Sequence, residues 1–328
     1  MFLKIIIDSI RFATILLFGS AGETVTEKSG HLNLGTPGVM CMGAMGGAIG
    51  GFMYVNAIGG AAHANPFLSV IIPLLFCIIF AGLTGALFSF LTVTLHCNQN
   101  VTGLVITTLG VGLYPFVISS LKNSLDYVII DGFSTIARNY FGHLFPESFG
   151  NANWFTQLFF SHGFLVYIAI LMALAIAIVM KSTRVGLFLR TVGENPSAAD
   201  AAGINVDRYR YLATIIGCAI SGLGGLFYLF DWCGGAFEFV VDSYGWLAVS
   251  LVIFAMWRTD IGMAGSFFFA FLYILPKYMN VSGPDKKIIE LIPYFATVVI
   301  LILTSIFNKK ENQAPAGLGL SYSREDRE

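Results

Sequence analysis

From Phe67 to Leu95 the chain runs for more than a full bilayer width without a charged side chain. A helix needs roughly 20 such residues to cross the hydrocarbon layer, and only a helix or a closed barrel satisfies the backbone there. This run therefore reads as a transmembrane helix, and the rest of the chain has the same character. Of its 328 residues 56% are hydrophobic and 11% are charged, and the mean hydropathy is +0.77. Soluble domains carry about a quarter of their residues as charges. The fold class is accordingly all-α, a polytopic membrane helix bundle of about eight to ten spans. A formal net charge of -1 offers no basic field for nucleic acid. The 36 glycines suit helices packed closely in lipid.

The remaining apolar runs are Leu32 to Val55, Val101 to Leu121, His162 to Met180, Leu212 to Phe230, Tyr244 to Trp257, Ile261 to Tyr278 and Leu291 to Phe307. Gly35, Pro37 and Gly38 give the first of these an irregular start, and Tyr244 to Trp257 is short for a span. Ile5 to Gly22 carries Asp8 and Arg11 inside its apolar stretch. It is a short span, an interfacial helix or a signal peptide, and the internal charges with no clean cleavage pattern argue against the last.

Short loops between spans keep Lys and Arg on the cytoplasmic side. The polar segment Met180 to Tyr211 holds Lys181, Arg184, Arg190, Arg208 and Arg210, so it is expected to be cytoplasmic. The membrane domain is taken as residues 1–307, with a cytoplasmic loop at 181–210 and an external loop at 122–161 carrying short helices. Four crossings after the loop bring the tail, 308–328, back to the cytoplasmic side, and Lys309, Lys310, Arg324 and Arg327 agree. Five crossings before it put the N-terminus outside, with Lys4 and Arg11 against the usual charge bias. An interfacial first segment puts it inside.

Within the central loop, Asn195-Pro196-Ser197, then AADAA and Gly203, has the order of a short capped helix. Asn195 can accept from an orphan N–H, Pro196 has none to lose at the first helical position, and Gly203 can take the left-handed turn that ends the helix. Such a helix on the cytoplasmic face is a knob for a partner to grip, or an ordinary loop helix. Ala81 to Phe90 (AGLTGALFSF) echoes Ser221 to Phe230 (SGLGGLFYLF) on spans that run in opposite directions, as an inverted repeat requires.

No phosphate-binding G-x-x-x-x-G-K-[ST] loop, H-E-x-x-H or G-x-S-x-G occurs, so no catalytic residue and no metal ligand is assigned, and no ATP hydrolysis is expected of this chain. The five cysteines show no ligand spacing and are assigned to packing. Mid-span ionisable groups are nearly absent, which argues against a proton relay. Asn33, Gly35, Asn100, Thr107 and Thr108 are candidate linings of a pathway for a neutral polar solute, or else helix-to-backbone hydrogen-bonding groups.

The stretch VGLFLRTVGENPSAADAAGINVDRYRYLATIIGCAISGLGGLFY resembles the cytoplasmic loop and following helix of ABC importer permeases of the ribose and branched-chain amino acid superfamily. EKSGHLNLGTPGVMCMGAMGG is similar to that family's "ERSGVVNIGxEGxMxMGA" region. PYFATVVILILTSIF followed by APAGLGLSYSRE resembles the C-terminal signature of its nucleoside-type members. The matches fall in the right order along essentially the whole chain. Thr36-Pro37 departs from the usual acidic residue before Gly38, which bears on the solute, and Thr191 stands where Ala is common.

The resemblance implies a permease for nucleosides or simple sugars in a bacterial plasma membrane. It implies as partners two ATP-binding cassette ATPases, which carry the ATP and Mg, a second permease of the same or a homologous kind, and an extracytoplasmic solute-binding lipoprotein. The coupling element would include Arg190, Gly193, Glu194, Asn195, Pro196, Ala198, Ala199 and Gly203. Arg190, Glu194 and Asn195 would orient the turn, and Ala198, Ala199 and Ala202 would form a small face seated in the ATPase. An ion-coupled transporter or channel is the competing reading, and a polytopic membrane enzyme is third.

Overall fold

The computed structural model describes residues 2–124, 126–145, 153–236, 241–279 and 313–323, with isolated positions between 289 and 302. The expected span Leu291 to Phe307 and the basic residues Lys309, Lys310, Arg324 and Arg327 lie largely or wholly outside them. The helices are α1 (Phe2–Glu27), α2 (Thr36–Ile58), α3 (Pro66–Ser89), α4 (Gln99–Ser124), α5 (Tyr127–Ile136), α6 (Trp154–Phe160), α7 (Phe164–Ser182), α8 (Arg184–Glu194), α9 (Pro196–Ala201), α10 (Val206–Phe227), α11 (Asp242–Phe254) and α12 (Thr259–Tyr278). Among the described residues there is no strand, and the chain is an all-α polytopic bundle.

Among the described residues six helices are long and apolar enough to cross a membrane: α2, α3, α4, α7, α10 and α12. In α2 and α10, 83% and 78% of the apolar window is buried, against 28% to 33% in α3, α4 and α7. The first pair is therefore the interior of the bundle, and the other three turn most of their surface to lipid.

The most highly charged long helix, α1, with Lys4, Asp8, Arg11, Glu23 and Glu27, is also enclosed. It packs on α10, α12, α11 and α7 and scarcely touches α2, its neighbour in sequence. Phe12, Ile15 and Leu16 are wholly buried, and Arg11 is drawn onto Asp231 of the α10 extension. An interfacial helix would leave one face wet, so that alternative does not hold: the charges inside this apolar stretch have partners in protein rather than in lipid. Residues 28 and 30, just past the end of α1, touch Gly193 of the central loop, whereas Arg11 lies beside Asp231 at the far end. The first turns of α1 thus lie at the end of the bundle opposite the central loop. The end carrying α8 and α9 is called the inner end below.

The echoed segments face each other. A Cβ on Gly85 would lie 2.8 Å from Cys218 Cβ, a Cβ on Gly222 would strike Ala81, and at the inner end Thr94 is hydrogen-bonded to Tyr211. The residues of α3 thus rise as those of α10 fall, and the two helices cross antiparallel. Each then loosens into a π turn, Phe90–Thr94 after α3 and Tyr228–Trp232 after α10, at opposite ends of the pair. Glycines let the helices approach closely: Gly38 lies against the Ile106 carbonyl, Gly110 against Gly38, and Gly43 against Gly222, backbone to backbone.

Candidate functional site

At the inner end, α8 and α9 are set at an angle by capping. Thr183 accepts from Gly186 N–H at 3.1 Å to start α8. Asn195 accepts from Ala198 N–H at 2.9 Å to start α9, and Pro196 occupies the first helical position. The helix stops at Gly203, with φ +83° and its N–H on the Asp200 carbonyl at 2.9 Å. A non-glycine residue is strained in that conformation. Asn205 caps α10 through Arg208 N–H at 2.9 Å, so two short turns between caps fix the path of the whole segment.

Ala199 is fully buried, packed in a small cluster with Val192 and Val206 and flanked by Ile204, Tyr209 and Tyr322. It belongs to the hinge core of the loop, not to the small outward face that the sequence suggests. The exposed surface of α9 is Ser197, Ala198, Ala201 and Ala202. A six-residue helix can offer only one side to a partner when its other side must bury an alanine to stay attached. Gly193 is buried, with Lys28 O where its Cβ would sit, and Glu194 accepts from Ala316 N–H of the tail at 3.2 Å. Arg190 is exposed, and among the described residues its hydrogen bond is to its own helix, Nε to Gly186 O at 3.4 Å. Burial pushes the Lys28 ammonium pKa down, and the neighbouring Glu194 opposes that shift.

Of the pathway candidates, three converge. Asn33 is 1% exposed; its Oδ1 accepts from Gly35 N–H at 2.9 Å, and its Nδ2 lies 3.4 Å from Glu23 Oε2. Thr107 Oγ1 donates to Leu34 O at 2.8 Å and ties α4 to the same loop. Thr108 faces outward and bonds within α4, to Leu104 O at 2.9 Å, and Asn100 is exposed at the start of that helix. Neither joins the cluster.

The structure adds groups that the apolar-run argument passed over. Glu23 and Glu27, one turn apart on α1, are buried; Thr36 Oγ1 donates to Glu23, and Trp257 Nε1 to Glu27. Consecutive left-handed residues Met256 and Trp257, φ 53° and 56°, aim that indole. Glu23 Oε1 has no hydrogen-bond partner among the described residues. His31 is wholly buried between Thr214 Oγ1 on Nδ1 and Thr92 Oγ1 on Nε2, each at 2.8 Å. Burial, reinforced by Arg210, lowers its pKa to about 3, so it is a neutral bridge between α10 and the π turn of α3. A length of helix with charges every few residues, ending in Glu-Lys-Ser-Gly-His, was the available signal, and it was obscured by its low hydropathy. Among the described residues no group of three His, Cys, Asp or Glu is placed to hold a metal ion.

Residues 5–306 match the model of the family described as branched-chain amino acid transport system / permease component. A putative glucose ABC transporter permease protein of Haloferax volcanii is 30% identical, over 97% of this chain and 96% of its own length. The nucleoside ABC transporter permease protein NupC of Lactococcus lactis is 27% identical, over 91% of each chain. The guanosine ABC transporter permease protein NupQ of Bacillus subtilis is 26% identical, over 95% of this chain and 93% of its own. No solved structure matches. An enclosed bundle of spanning helices, a capped inner loop and a family match over nearly the full length agree, and the chain belongs to the branched-chain amino acid transport system permease family.

Proposed function

We propose that the chain is the membrane subunit of an ATP-driven importer for a nucleoside or simple sugar, with α9 as the surface that receives the ATPase. The observation that carries this is the geometry of α9. It is capped at both ends, fixed inward by Ala199 and bare outward at Ala198, so a push on it moves α8 and α10 as a rigid body. In this reading two ATPase subunits bind and hydrolyse ATP with Mg, a second permease of the same or a homologous kind completes the pathway, and a solute-binding lipoprotein delivers the solute from the far side. The inner end, with the central loop and tail, is cytoplasmic. The relatives' names, nucleoside, guanosine and glucose, support a neutral polyhydroxylated solute.

The test is copurification of the tagged chain from mild detergent. Recovery of an ATPase subunit, and its loss in Ala198→Phe with the chain still folded, is the expected result. A chain that purifies alone and transports in liposomes without ATP would overturn the reading in favour of an ion-coupled carrier.

A further inference from the structure

The coupling loop is held by a third segment far from it in sequence. Gly317 N–H donates to Gly193 O at 2.9 Å, and Gly319 N–H to Gly30 O at 3.1 Å. The other side of Gly193 lies against Lys28 O, and a Cβ on Gly30 would come within 3.2 Å of Gly193 Cα and 3.3 Å of Gly317 O. Three strands of backbone, from the α1–α2 loop, the end of α8 and the tail, therefore meet at three glycines with no side chain between them. Only glycine permits this approach, and Gly30 also holds φ +81°.

Side chains extend the contact along both flanks. Ala316 N–H reaches Glu194, Gln99 Nε2 reaches Leu320 O at 3.4 Å, and Tyr322 OH donates to Asp200 Oδ2 at 3.0 Å. Tyr322 also packs on the cluster that buries Ala199. The tail thus touches both ends of α9, at Glu194 before it and Asp200 within it, and ties them to α1 and α4. Beyond Tyr322 it roofs a polar cavity of about 340 Å³ between His96, Asp207 and Tyr211, so discrete hydrogen bonds rather than dense packing hold it down. Beneath the junction Arg210 is 2% exposed, and its Nε and Nη2 have no partner among the described residues. Covering a guanidinium with two unbonded nitrogens opposes closure, which makes this a contact that can be released.

We propose that residues 315–322 position the coupling surface: the tail locks α9 to the α1–α2 loop, so that a displacement of α9 is passed to the buried Asn33 cluster of that loop instead of being absorbed by the central loop. Gly317 and Tyr322 are the positioning residues. This rests on α9 being the surface that meets the ATPase.

The experiment compares the full chain with a deletion of residues 313–328 and with Gly317→Val and Tyr322→Phe, two milder variants in case the deletion does not fold. A nitroxide at Ala198→Cys, in a chain whose solvent-reachable Cys97 and Cys233 are serine, reports the motion of α9. Unlabelled complexes report transport per ATP hydrolysed and the amount of ATPase recovered. Expected are a sharply more mobile nitroxide, about tenfold less transport per ATP, and undiminished ATPase recovery. Tyr322→Phe should show a smaller change of the same kind, with no further effect of Asp200→Asn in that background. Unchanged mobility and coupling in every variant would overturn the proposal. So would a loss of ATPase recovery in step with transport, which would make the tail a docking surface. If the unmodified chain recovers no ATPase, the importer reading fails, while the nitroxide still decides whether the tail holds α9.

Discussion

Arg11 and Asp231, 220 residues apart, meet at the outer end of the bundle, with Nη2 2.7 Å and Nε 3.0 Å from one carboxylate oxygen and Nη2 also 2.9 Å from the Asp231 carbonyl. The aspartate side chain is wholly buried and the arginine 29% exposed. The arginine's charge is thus answered within the protein, and its guanidinium lies 5.7 Å from the centre of the Trp232 ring.

Arg11→Met strands the buried Asp231 carboxylate and should lower stability by about 3–5 kcal/mol. Arg11→Met combined with Asp231→Leu removes both charges and should recover most of that loss. Thermal unfolding in detergent measures both. Equal losses in the single and double variants would mean that the interaction is not what holds α1.

Position 199 separates packing from coupling. Ala199→Leu overfills the cluster of Val192 and Val206 and should destabilise the inner loop by about 1–3 kcal/mol, seen as faster proteolysis there. Ala198→Leu, on the exposed side of the same helix, should change the cleavage rate little. Matching sensitivity at the two positions would contradict the orientation of α9.

Thr107 and Thr108 are neighbours with different work. Thr107→Val removes the donor to Leu34 O and should cost about 1 kcal/mol or more, because the carbonyl is left unpaired. Thr108→Val, whose hydroxyl serves only its own helix, should stay within about 0.5 kcal/mol of the parent. Midpoints of thermal unfolding give the comparison.

His31 gives a pH dependence. Its folded pKa of about 3 lies below the ordinary value near 6.5, so the unfolded chain binds a proton that the folded chain refuses. Its contribution is complete above about pH 6.5 and is lost as the pH falls toward 3, amounting to about 2 kcal/mol by pH 5. Subtracting the unfolding curve of His31→Gln from that of the parent should isolate this slope. A difference that does not change with pH would show that His31 is not held neutral.

What the sequence made legible follows from where each signal resides. Long apolar runs, caps and glycine spacing are local, and α2, α3, α4, α7 and α10, the Asn195 cap and the left-handed Gly203 are where those signals place them. That the two echoed segments run in opposite directions was visible as well; that they pack on each other was not. The enclosed position of α1 was not, because a helix with Asp8, Arg11, Glu23 and Glu27 reads as wet until the groups that answer them are known. Nor was the inward turn of Ala199, since an alanine has no polarity to betray its side. The convergence of Gly30, Gly193 and Gly317 involves contacts that no spacing encodes.

The partners of α1 also bear on how the protein is made. A ribosome delivers α1 well ahead of the helices that bury it, α7, α10, α11 and α12. Arg11 waits for Asp231 and Glu27 for Trp257 until more than two hundred further residues have been added. During that interval a weakly hydrophobic segment with unanswered charges must stay in the insertion machinery or at the membrane surface. Its burial is completed only after the last of those helices is made, although α1 is made before any of them.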